Sequence, residues 1–175
     1  MHIEAAEERC VSEVKYGCVF CQSGYEKTIA TRIEQVLPHV KAYSVTQEKF
    51  KSIGGKRSII QEQVMSGYVF IATASTIDMC QLKYLPGVSR VLTDHEGEWE
   101  LFGRDREFVE WIFDNGGIIR ISKVYKEGDK IVFQSGLLKD YEGKIVKINK
   151  HRGTALVEFI FGGMAFKVWA VFEWL

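Results

Sequence analysis

No stretch of these 175 residues comes near the roughly 18–20 consecutive apolar positions that a membrane-spanning helix needs. The opening MHIEAAEERC is acidic and lacks the apolar core of a secretory signal. The expectation is a cytoplasmic protein with a short leader over residues 1–13 and no membrane partner. Cysteine is scarce, and Cys10, Cys18, Cys21 and Cys80 show no disulfide framework. Cys18 and Cys21 do make a C-x-x-C. Yet VKYGCVFCQ has a strand's pattern, in which residues three apart point to opposite faces. No second C-x-x-C or histidine pair completes a zinc site. These cysteines therefore read as small buried apolar side chains, and neither a metal nor another cofactor is expected.

Catalytic signatures are also missing. IGGKRS has Gly-Gly-Lys but not the spacing of a phosphate loop, and no dinucleotide motif is present. Asp94, His95, Glu96 and Glu98, in DHEGE, are the nearest thing to an acid/base or metal cluster. They sit on a turn, and no nucleophile or second histidine completes them. No catalytic residue is assigned, and an enzyme is not expected. Internal repeats and low-complexity segments are absent as well.

An excess of one charge is the last absence: 23 Lys/Arg balance 23 Asp/Glu. The balance hides a split. Residues 118–175 carry ten Lys/Arg against six Asp/Glu, net +4, and the remainder carries thirteen against seventeen, net −4. A modestly basic C-terminal part suits polyanion binding, and equally a solvated surface of mixed charge.

What is present is an ordinary globular composition, 46% hydrophobic and 26% charged, with room for one domain or two small ones. From about Val14 to Asn115 strands and helices alternate. VKYGCVFC is a strand. SGYEKTIATRIEQVL is a helix with Ser23 as its cap, Glu26 completing a capping box, and Ile29, Ile33, Val36 and Leu37 on one apolar face. KSIGGKRS reads as a polar loop. SIIQEQVMSGYVFIAT holds two strands broken at Ser66-Gly67. STIDMCQLKYL is a second helix with Ser75 and Asp78 as capping signals, VSRVLT a strand, and DREFVEWIFDNGG a third helix closed by Gly116 and Gly117. The order β-α-β-β-α-β is that of a ferredoxin-like α/β sandwich, with helices on one sheet face and the other free for a partner. Beyond it lie only strands, KIVFQSG, GKIVKINKH, TALVEFIF and AFKVWAVF, punctuated by glycine, as in a small all-β barrel of about five strands. The expected class is α+β, with domains at 14–115 and 125–175 and a linker at 116–124.

The stretch GDKIVFQSGLLKDYEGKIVKINKHRGTALVEF resembles a KOW motif, which implies an SH3-like barrel. The N-terminal region is similar to an NGN domain in Tyr16-Gly17-Cys18-Val19, Ser23-Gly24-Tyr25-Glu26, SGYVFI and LPGVSRVL. NGN followed by KOW, over nearly the whole chain, resembles the NusG family of transcription elongation factors. The chain departs from the family's usual pattern in three places. Met65-Ser66 stands where an aromatic-Pro pair is usual, Gly136-Leu137-Leu138 where Gly-Pro-Phe is usual, and FGGMAFKVWAVF where FGR…PVEL…F is usual. The hairpin IVKINKHRGTALVEF looks more like the specialised paralogue LoaP, an antiterminator of long operons. This resemblance implies a monomer that binds RNA polymerase through NGN and a leader RNA hairpin through KOW, suppressing pausing and termination. Non-template DNA is a further implied partner. Ribosome or Rho is the alternative for KOW.

Resemblance implies that Val64, Met65 and Tyr68, with Tyr16 and Phe70, hold the polymerase clamp helices. Ser75, Thr76 and Asp78 map to its gate-loop contact. Exposed aromatics and methionine would supply contact area; core packing, or helix capping for the last three, is the competing reading. In KOW, Val146 and Ile148 are expected to share one strand face, with Ala155, Val157, Phe159 and Phe161 as the apolar side of the returning strand. The tip then presents Lys150, His151 and Arg152, with Lys147 nearby, to phosphates. Asn149, His151 and Arg152 can also contact base edges of an RNA loop or a widened groove, and Lys139 and Lys144 complete the RNA-binding set. Tyr141 is either a stacking residue or a half-buried barrel residue. The bland alternative for the tip is a solvated turn.

Overall fold

The computed structural model describes residues 13–175. Of the expected leader only Glu13 is among them, and Cys10 lies outside. In chain order the first region runs β1 (Lys15–Cys21), α1 (Glu26–Val36), β2 (Lys41–Ser44), β3 (Thr46–Ile53), β4 (Lys56–Gln63), β5 (Tyr68–Thr73), α2 (Met79–Lys83), β6 (Val88–Val91) and α3 (Gly103–Asp114). β2, β5, β1 and β6 form an antiparallel sheet in that order. Successive strand residues point to opposite faces, and this sorts the core. Val19, Cys21, Val69 and Ile71 pack under α1 and α2 with Ile29, Ile33 and Leu82. Tyr16, Cys18, Phe70 and Ala72 face the other way. Cys18 and Cys21 thus lie on opposite faces, as the strand pattern predicts, and both thiols are free. Burial pushes the Cys18 thiol far up.

The second sheet face is not free. Phe108, Val109 and Ile112 of α3 pack on it, and barrel residues continue the same apolar layer. An amphipathic helix must bury its stripe somewhere, and the α1–α2 side is already filled. KSIGGKRS is likewise not an open loop but the closed end of the β3–β4 hairpin. Gly54 and Gly55 take φ of 58° and 78°, the backbone a two-residue turn between right-twisted strands requires. At α1 the cap residue is Tyr25, not Ser23, and it makes no side-chain cap bond.

The second region comprises β7 (Ile118–Ile119), β8 (Ser122–Glu127), β9 (Lys130–Phe133), α4 (Leu137–Asp140), β10 (Ile145–Asn149), β11 (Thr154–Phe161) and β12 (Met164–Trp174). Its sheet order is β10-β11-β12-β8-β9, with β12 and β8 parallel. Residues 116–124, expected as a linker, are held on both sides. β7 pairs in parallel with β3 through Thr46 and Ile118, and β8 starts at Ser122 opposite Phe172. Ala155, Val157, Phe159 and Phe161 are buried on one side of β11, as alternation predicts. Leu137 and Leu138 of α4 are buried with them. Val146 and Ile148 depart from expectation, being 61% and 37% exposed. The register slips between Ile145 and Lys147, so Val146 bulges outward and Ile145 turns to the core instead.

Candidate functional site

The residues expected to make contacts fall into three groups, and the structure keeps them apart. The first centres on Tyr68. The preceding turn is tied down by Glu26, whose Oε1 accepts the Gly67 N–H at 2.7 Å and the Ser66 hydroxyl at 3.4 Å. Its Oε2 accepts the Gly24 N–H at 2.9 Å. Burial alone would raise the Glu26 pKa, but these bonds outweigh it and hold the carboxyl below the usual range. Gly67 has φ of 83°, and a Cβ there would lie 2.9 Å from the Cys21 carbonyl oxygen. Glu26 thus anchors a turn that lacks the aromatic-Pro pair.

Aromatic rings surround Tyr68. Phe20 meets it edge-on at 4.8 Å, and Arg90 lies over Phe20 at 4.3 Å. From the barrel, Phe166 meets Tyr68 at 5.3 Å and Phe161 at 6.1 Å. Phe161 also meets Phe70 edge-on at 5.2 Å, while Phe108 stacks on Phe159 at 4.6 Å. Tyr16, Met65 and Phe70, expected on a binding surface, are 7%, 7% and 0% exposed. They lie in one apolar layer with α3, β11 and β12. Val64 and Tyr68 pack against the same layer and are partly buried. Burial raises the Tyr68 hydroxyl pKa, against the influence of Arg90.

The second group follows β5, at the opposite end of that strand from Tyr68. Ser75, Thr76 and Asp78 are exposed. Asp78 caps α2, its Oδ1 accepting the Cys80 N–H at 2.9 Å. Ser75 donates its N–H to the Thr73 hydroxyl at 3.0 Å instead of capping.

The third group is the β10–β11 tip. Asn149 Oδ1 accepts the Arg152 N–H at 3.0 Å and folds the turn. Gly153 has φ of 64°, and a Cβ there would lie 2.9 Å from the Phe172 carbonyl oxygen. Lys147, Lys150, His151 and Arg152 are exposed. Among the described residues none of these four forms a salt bridge. Lys150 and His151 share a recess of about 560 Å³ with Lys126, Trp174 and Leu175. Lys144 instead lines a groove of about 510 Å³ with Arg104, Glu107 and Glu158. Lys139 sits on α4 beside Asp140, whose carboxylate accepts the Trp111 indole N–H at 2.8 Å. The structure thus groups Lys150 and His151 but sets Lys144 in a different recess. Tyr141 is half-buried edge-on to Trp111 at 5.6 Å. Burial, aided by Asp140 and Glu107, pushes its hydroxyl to about 12. Lys126 and Trp174 escaped the sequence reading because the parallel β12–β8 pairing that joins them is long-range.

DHEGE is a self-closed turn. Asp94 Oδ1 accepts the N–H groups of Glu96 and Glu98 at 2.8 and 2.9 Å. Those bonds, led by that of Glu98, hold its carboxyl below the usual range.

Against known proteins, the sequence profile described as "Transcription termination factor nusG" matches residues 15–108, more than half of the chain. The chain belongs to the NusG family. NusG-family proteins are transcription factors that bind RNA polymerase rather than enzymes. No curated protein matches the chain at a significant level. A solved structure titled "Domain interaction in Thermotoga maritima NusG" matches 91% of this chain and 94% of its own, with a TM-score of 0.53 and 20% identity. At that identity the likeness is one of fold, and it spans both the NusG NGN region and the curled β region. Among the described residues no helix is long and apolar enough to cross a membrane.

Proposed function

We propose that this NusG-family chain is a LoaP-like processive antiterminator. Its Tyr68-centred surface binds the clamp helices of RNA polymerase, Ser75, Thr76 and Asp78 meet the gate loop, and the β10–β11 tip binds leader RNA. The observation that carries the reading is the ring cluster at Tyr68. Phe20, Tyr68, Phe70 and Phe108 form a preassembled apolar shelf suited to a helix pair. β11 and β12 occupy that shelf here through Phe161 and Phe166, so polymerase must displace the barrel to reach it. Binding then favours the displaced state by as much as polymerase prefers it. No covalent chemistry is required; a clamp held closed disfavours the states from which pausing and termination proceed. The unpaired cations at the tip favour RNA as the barrel's ligand. The test is crosslinking of a benzophenone side chain at Tyr68 to core polymerase, with mapping of the adduct. Adducts on the clamp helices support the reading, and adducts elsewhere oppose it.

One feature favours a general NusG-type factor whose barrel binds ribosome or Rho protein. Ile160 and Trp169, on the outward face of β11 and β12, are 55% and 42% exposed, apolar side chains suited to a protein partner. Pull-down of the chain with purified ribosomes and with Rho, set beside RNA binding, separates the two readings.

A further inference from the structure

The recess beside the basic tip has an aromatic wall that the cation pattern alone does not explain. Trp174 ends β12, in register with Val124 of β8. The residue is 39% exposed. Phe172 props it edge-on at 5.7 Å with the rings at 90°. The Leu175 N–H bonds to the Val124 carbonyl at 2.8 Å and fixes the strand end. Lys126 Nζ lies over the ring at 5.7 Å, and Lys150 and His151 reach the same recess from the hairpin. Among the described residues no Asp or Glu side chain lines it. The nearby Glu173 is engaged elsewhere, with Lys123 at 2.5 Å and Arg57 at 3.9 Å.

A tryptophan that only closed the end of a barrel would bury its face under apolar neighbours. This one is rigidly propped, partly open, and ringed by lysines and a histidine. A part-exposed indole with one amine over its ring and others beside it matches one chemistry, a nucleobase stacked on the indole in the place Lys126 takes here, with its phosphates on Lys126 and the neighbouring amine. A protein partner would instead have to desolvate these cations or bring carboxylates to them.

We infer that Trp174 is a stacking platform for one unpaired base of RNA, with Lys126 and Lys150 on the flanking phosphates. This rests on the RNA-binding reading above and adds a site on β8 and β12 to the hairpin tip. The platform sets the preference: unpaired nucleotides bind, whereas a duplex offers no free base face.

The experiment uses the full chain and three labelled probes: oligoadenylate, its duplex with oligouridylate, and oligoadenylate with abasic positions. Trp174→Ala is expected to weaken oligoadenylate binding on the order of 10- to 100-fold. It should leave duplex affinity and the salt slope unchanged. Trp174→Phe should recover most of the loss, and Lys126→Ala should lower the slope by about 0.7. A folded Trp174→Ala that binds oligoadenylate like wild type overturns the platform. The RNA reading then still stands if Lys147→Ala/Lys150→Ala/Arg152→Ala loses affinity. A wild-type chain that binds no probe overturns the platform, and if it also fails to bind leader RNA the RNA reading falls with it. Should Trp174→Ala unfold, the wild-type protein decides: equal affinity for abasic and base-bearing strands overturns the platform, and weaker binding of the abasic strand supports it. Capture of ribosomal protein by this face with no RNA affinity also overturns it.

Discussion

The ring of Tyr68 stands perpendicular to that of Phe166, at 88° and 5.3 Å between centroids. One belongs to the first sheet and the other to the barrel, so this pair is a direct measure of how firmly the barrel sits on the shelf. Edge-to-face pairs contribute about 0.5–1.5 kcal/mol beyond their buried area. A double-mutant cycle with Tyr68→Ala and Phe166→Ala should return a coupling energy in that range by chemical denaturation. Strict additivity would mean that the two rings do not meet in solution.

Glu26 gives a pH prediction. Its folded pKa is depressed, so its stabilisation is present above the unfolded glutamate value of about 4.3 and is lost as pH falls through the folded value. Glu26→Gln should cost about 1–2 kcal/mol at neutral pH. The gap to wild type should shrink as the solution is acidified below about pH 4. A gap that stays constant to strongly acid pH would show that the carboxylate's charge is irrelevant to the turn.

At the basic tip, Gly153→Val meets two obstacles, a φ of 64° and the Phe172 carbonyl oxygen 2.9 Å from the new Cβ. The backbone conformation alone should cost about 1–3 kcal/mol. The melting temperature should therefore drop and RNA affinity fall with it. An unchanged melting temperature would indicate a turn of another shape.

Lys147, Lys150 and Arg152 form no salt bridge among the described residues, so their removal leaves no orphaned carboxylate behind. Replacing all three with alanine should weaken RNA binding and lower its salt slope by about 2, at roughly 0.7 per phosphate contact on a single strand. Circular dichroism should not change. Wild-type affinity and slope in this variant would make the tip a solvated turn.

Much of this architecture was legible where one residue period met one buried face. Ala155, Val157, Phe159 and Phe161 alternate because β11 has a single core side, and Cys18 and Cys21 separate for the same reason. Three things were not legible. The stripe of Phe108, Val109 and Ile112 says that α3 buries a face but not which side of the sheet receives it. The slip at Val146 depends on how β10 meets β11, which no local pattern records. The neighbourhood of Lys126 and Trp174 needs the parallel β12–β8 pairing. Tyr68 and Phe70 were expected on a binding surface, yet Phe70 is buried and Tyr68 partly so. Their present neighbours, Phe161 and Phe166, come from the far end of the chain, and only the assembled fold brings them there.

The most direct test of the shelf as the polymerase-binding surface is the affinity of purified core polymerase for four proteins: wild type, Phe166→Asp, Tyr68→Ala and the double variant. Phe166→Asp places a charge among the rings that hold the barrel down and should free the shelf, a change of several kcal/mol where desolvation is complete. Binding should tighten about tenfold or more in Phe166→Asp, corresponding to about 1.4 kcal/mol. It should weaken in Tyr68→Ala, and the double variant should lose most of the gain. If folded Tyr68→Ala binds polymerase as wild type does and Phe166→Asp binds no more tightly, the shelf is an interdomain core and the polymerase contact lies elsewhere.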